Sequence, residues 1–185
     1  MALLAEEIVE EWLNRRGYFT IRGAKAGVDE ADILAVRPTE NGCHCRHIEV
    51  QASTNPISYL APATKEARKG GLSPYSAKAR TPDFLKACVD EWLQKKFFSA
   101  KKEKLRTRLA PGPWTFELVV HRLKFPQELD LVRSRGILVH QLDAVVKEVI
   151  ASDNALSGAA GASLIELVTL ERGPTLPRAS RQVSP

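Results

Sequence analysis

Between Trp114 and Ala151 the chain reads strand, helix, strand, helix with little in between. Trp114 to His121 is rich in strand formers. Pro126 to Arg135 reads as a helix closed by Gly136, and Ile137-Leu138-Val139 is a short apolar strand. Gln141 to Ala151 then carries Leu142, Val145, Val146 and Val149 on one helical face. Two strands joined through a helix lie parallel in one sheet, with a right-handed crossover. That requirement puts the chain in the α/β class.

The upstream half supplies a different kind of sheet. Ile8, Val9, Trp12 and Leu13 repeat at helical spacing, with Leu4 and Ala5 extending the stripe. Arg15 and Arg16 fill the last turn and Gly17 ends it. Tyr18 to Ile21 is rich in strand formers, and Gly23 to Glu30 reads as a polar loop. Ala31 to Val36 is an apolar strand stopped by Pro38, and Asn41-Gly42 signals a tight turn. Arg46 to Ala52 alternates, with Ile48 and Val50 on one face and His47, Glu49 and Gln51 on the other. These strands form a meander, the second and third joined by a hairpin.

A long irregular stretch, Thr54 to Arg80, follows, with a short helix expected at Ala63–Arg68. Thr81-Pro82-Asp83 is a helix start, and Leu85, Cys88, Val89, Trp92, Leu93 and Phe97 share a face of that helix. Ser99 caps a second, strongly basic helix to about Leu109. Ala155 to Leu170 is expected to be a last helix. Gly173 to Pro185, with three prolines, reads as a disordered tail, leaving one domain over 1–172.

Composition excludes several classes. Hydrophobic residues make up 44% and charged residues 26%, which excludes wholesale disorder and collagen. Three cysteines exclude a disulfide-stapled miniprotein and suggest a reducing compartment, the cytoplasm. No apolar run approaches the ~20 residues that span a bilayer. The acidic Met1–Glu11 segment does not resemble a signal or transit peptide.

Charge is informative in its placement. The net charge is +5, yet Lys95 to Arg108 alone carries seven basic residues against Glu103. A second basic stretch holds Lys65, Arg68, Lys69, Lys78 and Arg80. Concentrated positive charge attracts a polyanion, and nucleic acid is the commonest in a cytoplasm. Lys95, Lys96, Lys101 and Lys102 are therefore candidate phosphate contacts. Arg22 and Lys25, after the first strand, are candidates at the mouth of the site described next.

That site is acidic. Asp32 sits inside an apolar strand, and Glu49 and Gln51 follow on one face of the next strand. Hairpin strands lie ~5 Å apart, so both carboxylates can face a shared space. Two such anions repel unless a proton or cation lies between them. The pattern suits a hard divalent cation, Mg²⁺ or Mn²⁺, held by Asp32 and Glu49 and completed by a substrate phosphate. Glu6, at the edge of the first helix's buried face, can reach the same side, with Glu10 as second choice, whereas Glu7 and Glu11 point away. The structural alternative makes Glu49 and Gln51 a polar outer face and Asp32 a strand cap.

This arrangement resembles the PD-(D/E)xK, or restriction endonuclease-like, superfamily, nearest to archaeal Holliday-junction resolvases. Their pattern is a helix glutamate about eleven residues before a Gly-aromatic pair, then Asp-Ile-x-Ala, then Glu-x-Lys. Here those positions read Glu6, Gly17-Tyr18, Asp32-Ile33-Leu34-Ala35 and Glu49-Val50-Gln51. The likeness covers about residues 1–53; beyond that only the order of elements agrees. It implies a mixed central sheet of four or five strands flanked by helices. It also implies metal-dependent hydrolysis of nucleic acid, DNA rather than RNA. Asp32 and Glu49 would bind Mg²⁺, Gln51 would position the attacking water and Glu6 would assist. Cutting both strands of a duplex would be served by a two-fold homodimer. Two departures stand out: Gln51 replaces the family lysine, and Ala31 replaces the proline before Asp32. Glutamine orients a water but offers no charge. The alternative is therefore a catalytically silent nucleic-acid-binding or scaffold protein that keeps the fold. A third reading has the basic helix bind an acidic protein.

Cys43-His44-Cys45 does not read as a zinc site, because a lone Cys-x-Cys supplies two ligands at most. Trp12, Trp92 and Trp114 lie on apolar faces and read as core, and His121 as a hydrogen-bonded surface histidine.

Overall fold

A computed structural model describes residues 2–53 and 55–152. The last helix and the tail expected from the sequence lie outside the described residues. In chain order the elements are α1 (Ala2–Asn14), β1 (Phe19–Ala26), β2 (Asp29–Thr39), β3 (Gly42–Gln51), α2 (Lys65–Lys69) and α3 (Pro82–Lys96). Then come α4 (Ala100–Leu109), β4 (Trp114–Val120), α5 (Gln127–Ser134), β5 (Leu138–Gln141) and α6 (Leu142–Ala151).

One mixed sheet of five strands runs in sequence order, β1-β2-β3-β4-β5. The meander β1-β2-β3 is antiparallel; β4 joins β3 in parallel and β5 joins β4 in parallel. Helices cover both faces, as the strand-helix-strand pattern requires. On one face α1 and α6 bury Val9, Leu13, Val145 and Val149 against Ile33, Ile48, Val50 and Val119. On the other, α3 and α5 bury Val89, Leu93, Phe97 and Val132 against Leu118 and Val120. Each fully buried side chain of this size contributes about 1.5–3 kcal/mol. Leu105 of α4 packs with Trp114 over Leu34, Ala31 and Ala24, laying that helix across the β1-β2 hairpin.

Local signals place the helix ends. The Thr81 hydroxyl accepts from Phe84 N–H and the Ser99 hydroxyl from Lys102 N–H, as N-caps do. Gly17 closes α1 at φ +78°, with Gly17 N–H on the Asn14 carbonyl and Tyr18 N–H on that of Leu13.

One segment departs from expectation. Gly23 to Glu30 is not a loop: β1 runs on to Ala26, β2 starts at Asp29, and Lys25 pairs with Glu30. The reversal needs only Gly27 and Val28, and Gly27 sits at φ +70°, where glycine alone is unstrained. Polar side chains hid this ribbon, because its ladder is made by the backbone and its outer end covers no core.

The connection 55–80 is tied down by a buried acid. Glu128 of α5 accepts hydrogen bonds from Leu60 N–H (2.6 Å) and Ala61 N–H (3.2 Å). Arg80 donates to the Ala61 carbonyl at 2.8 Å and lies 3.9 Å over the Tyr59 ring, which stacks on Phe125. Arg80 therefore holds the loop rather than a phosphate, and Arg68 lies 3.7 Å from Glu91.

Candidate active site

The β2-β3 ladder ends at the Ile33–Ile48 pair. The next couple in register would be Asp32 and Glu49, and there the strands part. Asp32 uses the opening: its Oδ2 accepts from the Val50 N–H at 2.8 Å. Glu49 points to the α3 side of the sheet and is completely buried. The two acids predicted to converge therefore do so, on adjacent strands at the point where backbone pairing stops.

Two cations from the following helices meet them, with a histidine from β3 beside them. Lys96, the last residue of α3, puts Nζ 2.7 Å from Glu49 Oε2 and 3.8 Å from Asp32 Oδ1. Lys102 of α4, itself buried, donates to Glu49 Oε1 at 2.6 Å and to the Lys96 carbonyl at 2.7 Å. His47, two residues before Glu49 on the same face, lies 2.9 Å from Oε1 through Nε2. Arg106 donates to His47 Nδ1 at 3.1 Å and to the Phe97 carbonyl at 2.7 Å. Burial, with Lys102 and Arg106 nearby, pushes the His47 pKa down against its bond to Glu49. The ring is then neutral, with Nδ1 accepting from Arg106 and the proton on Nε2 donated to Glu49.

The two carboxylates are pushed apart in character. Burial would raise the Glu49 pKa, but the His47 hydrogen bond and the Lys96 and Lys102 charges hold it at about 2. Burial first and the Glu49 charge second push Asp32 up to about 7, against Lys96 and the Val50 N–H. Lys96 is buried enough to lower its pKa, yet Glu49 and then Asp32 hold it above the ordinary lysine value. Glu49 is a fixed anion, whereas Asp32 needs more positive charge than its surroundings supply. Asp32 opens on a groove of about 360 Å³ shared with Glu30 and Lys95.

The donor set fits a hard divalent cation at Asp32 and at Glu49 Oε2. Both are carboxylate oxygens, and the cation now facing them is a flexible lysine whose side chain is one quarter exposed. Glu49 Oε1 is committed to His47 and Lys102. Among the described residues no three His, Cys, Asp or Glu side chains form a ready metal cage. Glu6 stands farther out, half-buried; burial raises its pKa, and the charges of Lys96 and Glu49 reach it. Gln51 lies one pleat beyond Glu49 and lines an adjoining pocket with Tyr75.

Several sequence expectations need correction. Lys102 cannot contact phosphate, because it is 2% exposed and clamps Glu49. Lys96 likewise faces the carboxylates. Arg22 is engaged by Glu7 at 3.4 Å and Glu10 at 3.6 Å, so α1 takes its charge. Glu11 does not point away; it is buried and accepts from Arg15 Nε at 2.6 Å. His121 is held by the Ser53 carbonyl at 2.9 Å, as a hydrogen-bonded histidine.

The remaining basic residues do form a surface. Lys101, Lys104 and Arg108 share the outer side of α4 and, with Lys25 of β1 and Leu105, line a groove of about 310 Å³ beside Gly27. The helix thus divides its charge: Lys102 and Arg106, four apart, turn inward, and the rest turn out. That spacing on an otherwise polar helix was the one sequence signal for an internal role. Nothing local pointed to Lys96 rather than Lys95.

Among the described residues no helix is long and apolar enough to cross a membrane. No protein-family model matches the chain, and neither the curated proteins nor the solved structures return a significant match.

Proposed function

We propose that the chain is a metal-dependent nuclease acting on nucleic acid, DNA rather than RNA. The observation that carries this reading is the meeting of Asp32, Glu49 and Lys96 where β2 and β3 part, beside an open groove. Asp32 and Glu49 would hold Mg²⁺ or Mn²⁺, which when bound supplies charge neutralisation and a more acidic water. Lys96 offers from α3 the positive charge that Gln51 lacks, within reach of the same space. His47 and Lys102 keep Glu49 ionised and still. Gln51 would orient the attacking water, and Glu6 would add negative potential at the rim. Lys25, Lys101, Lys104 and Arg108 would hold backbone phosphates, contacts that position a strand without reading its sequence.

A second reading has its own observation. Glu49 is saturated by Lys96, Lys102 and His47, so an internal set of charges already satisfies it. Together with Gln51 in place of a lysine, that favours a silent nucleic-acid-binding protein with the same scaffold.

Nicking of supercoiled plasmid with Mg²⁺ or Mn²⁺ separates the two. The native protein is compared with Asp32→Asn and Glu49→Gln, isosteric changes that remove the charge and keep one of the two acceptor oxygens. Nicking lost in both variants while binding persists supports the nuclease. Binding without nicking in either metal supports the silent binder. Failure to bind nucleic acid at low salt removes both.

A further inference from the structure

The pocket next to the carboxylate pair shares Gln51 with the chemistry above, and its other lining residues have no part in it. Its volume is about 300 Å³, at the lower end of small-molecule sites, and Gln51, Ile57, Tyr59, Leu60 and Tyr75 line it. Tyr59 is buried, stacked on Phe125 and covered by Arg80, so its ring has no free face. Tyr75 differs: it is 63% exposed, and among the described residues no aromatic ring packs on it.

The backbone on both sides of Tyr75 is anchored. The Pro74 carbonyl accepts from Ala63 N–H at 2.7 Å and from Arg80 at 3.3 Å. The Lys78 carbonyl accepts from the Tyr59 hydroxyl at 3.3 Å. A fixed loop therefore presents a bare aromatic ring at a pocket that an amide residue also lines. Gln51 offers that amide, one pleat from Glu49 on the same face of β3.

We propose that this pocket receives an unpaired nucleobase of the strand whose backbone passes the Asp32–Glu49 site. An aromatic ring supplies a stacking face to any base, and an amide supplies a donor and an acceptor to a base edge. A paired base inside a duplex has both faces covered by its neighbours, so the ring can stack only on a base that is single-stranded, frayed or flipped out. Ile57 and Leu60 give the apolar floor that a heterocycle prefers over a phosphate or an acidic side chain. The proposal rests on the nucleic-acid reading above and narrows its substrate to strands with an accessible base.

The test is binding in EDTA, which needs no cleavage. A fluorescein-labelled oligothymidylate is compared with an abasic oligomer of equal length, which keeps the phosphates and removes the bases. Native protein is expected to bind the oligothymidylate more tightly. Tyr75→Ala should weaken that binding roughly fivefold to a hundredfold, the range of one base–aromatic stack, and leave the abasic oligomer unchanged. Tyr75→Phe should bind as the native protein does. Tyr75→Trp should lose emission, relative to the native protein's own three tryptophans, on adding oligothymidylate but not the abasic oligomer. If Tyr75→Ala lowers the melting temperature, the Phe and Trp variants decide.

Equal binding of both oligomers by native protein, or no effect of Tyr75→Ala on oligothymidylate binding, overturns the proposal. So does failure to bind either oligomer. Base-dependent binding without nicking in any metal sinks the nuclease reading and leaves the pocket standing. Nicking with Tyr75-independent binding does the reverse.

Discussion

Strand β3 carries two buried charge networks, one on each face of the sheet. On the α1 side the Arg46 guanidinium makes a two-pronged pair with Glu117, and His140 Nε2 lies 2.7 Å from the same carboxylate. Trp12 and Tyr18 cover Arg46, with their ring centroids 4.8 and 5.1 Å from it. On the α3 side Glu49 is answered by Lys96, Lys102 and His47, with Asp32 beside them. Both networks hold a buried glutamate at about 2. They differ in closure. Glu117 is itself buried and faces a planar, aromatic-capped partner. The Glu49 network contains a second acid whose charge is incompletely answered, and that acid opens to solvent. Buried charge alone does not mark a site; an unbalanced group at an opening does.

The comparison predicts opposite responses to mutation. Glu117→Leu leaves Arg46 buried without its partner and is expected to cost about 3–5 kcal/mol in urea unfolding, as broken buried pairs do. Nicking per folded molecule should be unaffected. A loss under 1 kcal/mol would mean the pair is not the anchor described here. Asp32→Asn should do the reverse: nicking falls at least about a hundredfold, or about 2.7 kcal/mol of barrier, while the melting temperature holds or rises. Removing one of two repelling acids relieves the fold, so a destabilised Asp32→Asn would erase the distinction between the networks.

The outer face of α4 gives a smaller effect. Replacing Lys101, Lys104 and Arg108 together by Glu should weaken DNA binding at moderate salt. It should also lower the slope of log K against log salt by about one for each phosphate that is no longer held. Lys102→Met should instead act through Glu49, reducing stability with little change in that slope. Equal slopes for the triple variant and native protein would exclude the groove from the DNA path.

pH sharpens the contrast further. The Asp32 pKa is raised from an ordinary 3.8 to about 7, so the protonated acid favours the fold and its contribution fades as pH rises through about 7. The proposed metal binding would need the ionised form, so on the nuclease reading nicking is expected to climb through the same range. A profile flat between about pH 6 and about pH 8 would take Asp32 out of the reaction. Glu49 is lowered from an ordinary 4.5 to about 2; its contribution to stability is present above 4.5 and fades as pH falls toward 2. Glu117 behaves as Glu49 does, so acid unfolding should be softened by Glu49→Gln and by Glu117→Gln alike.

What could be read from the sequence was what repeats at short range. The 3.6-residue stripe of α1, the alternation of Arg46 to Ala52, the Asn41-Gly42 turn and the Thr81 and Ser99 caps all report on a residue's own neighbours. They were enough for the class, the strand order of the meander and the meeting of Asp32 with Glu49 across a hairpin. The β1-β2 ribbon escaped because its pairing is carried by peptide groups, which look alike whatever the side chains.

Which cations answer Glu49 was a tertiary decision. Lys96 and Lys102 lie 47 and 53 residues from Glu49, on helices whose approach is set by the packing of Leu93, Phe97 and Leu105. Adjacent lysines in one basic run are equivalent in composition. A helix turns them by about 100° each, so one faces a buried acid and the next faces water. The amino-acid string set the acids in register; the docking of α3 and α4 chose their partners, because Coulomb energy depends on distances that only the folded chain defines.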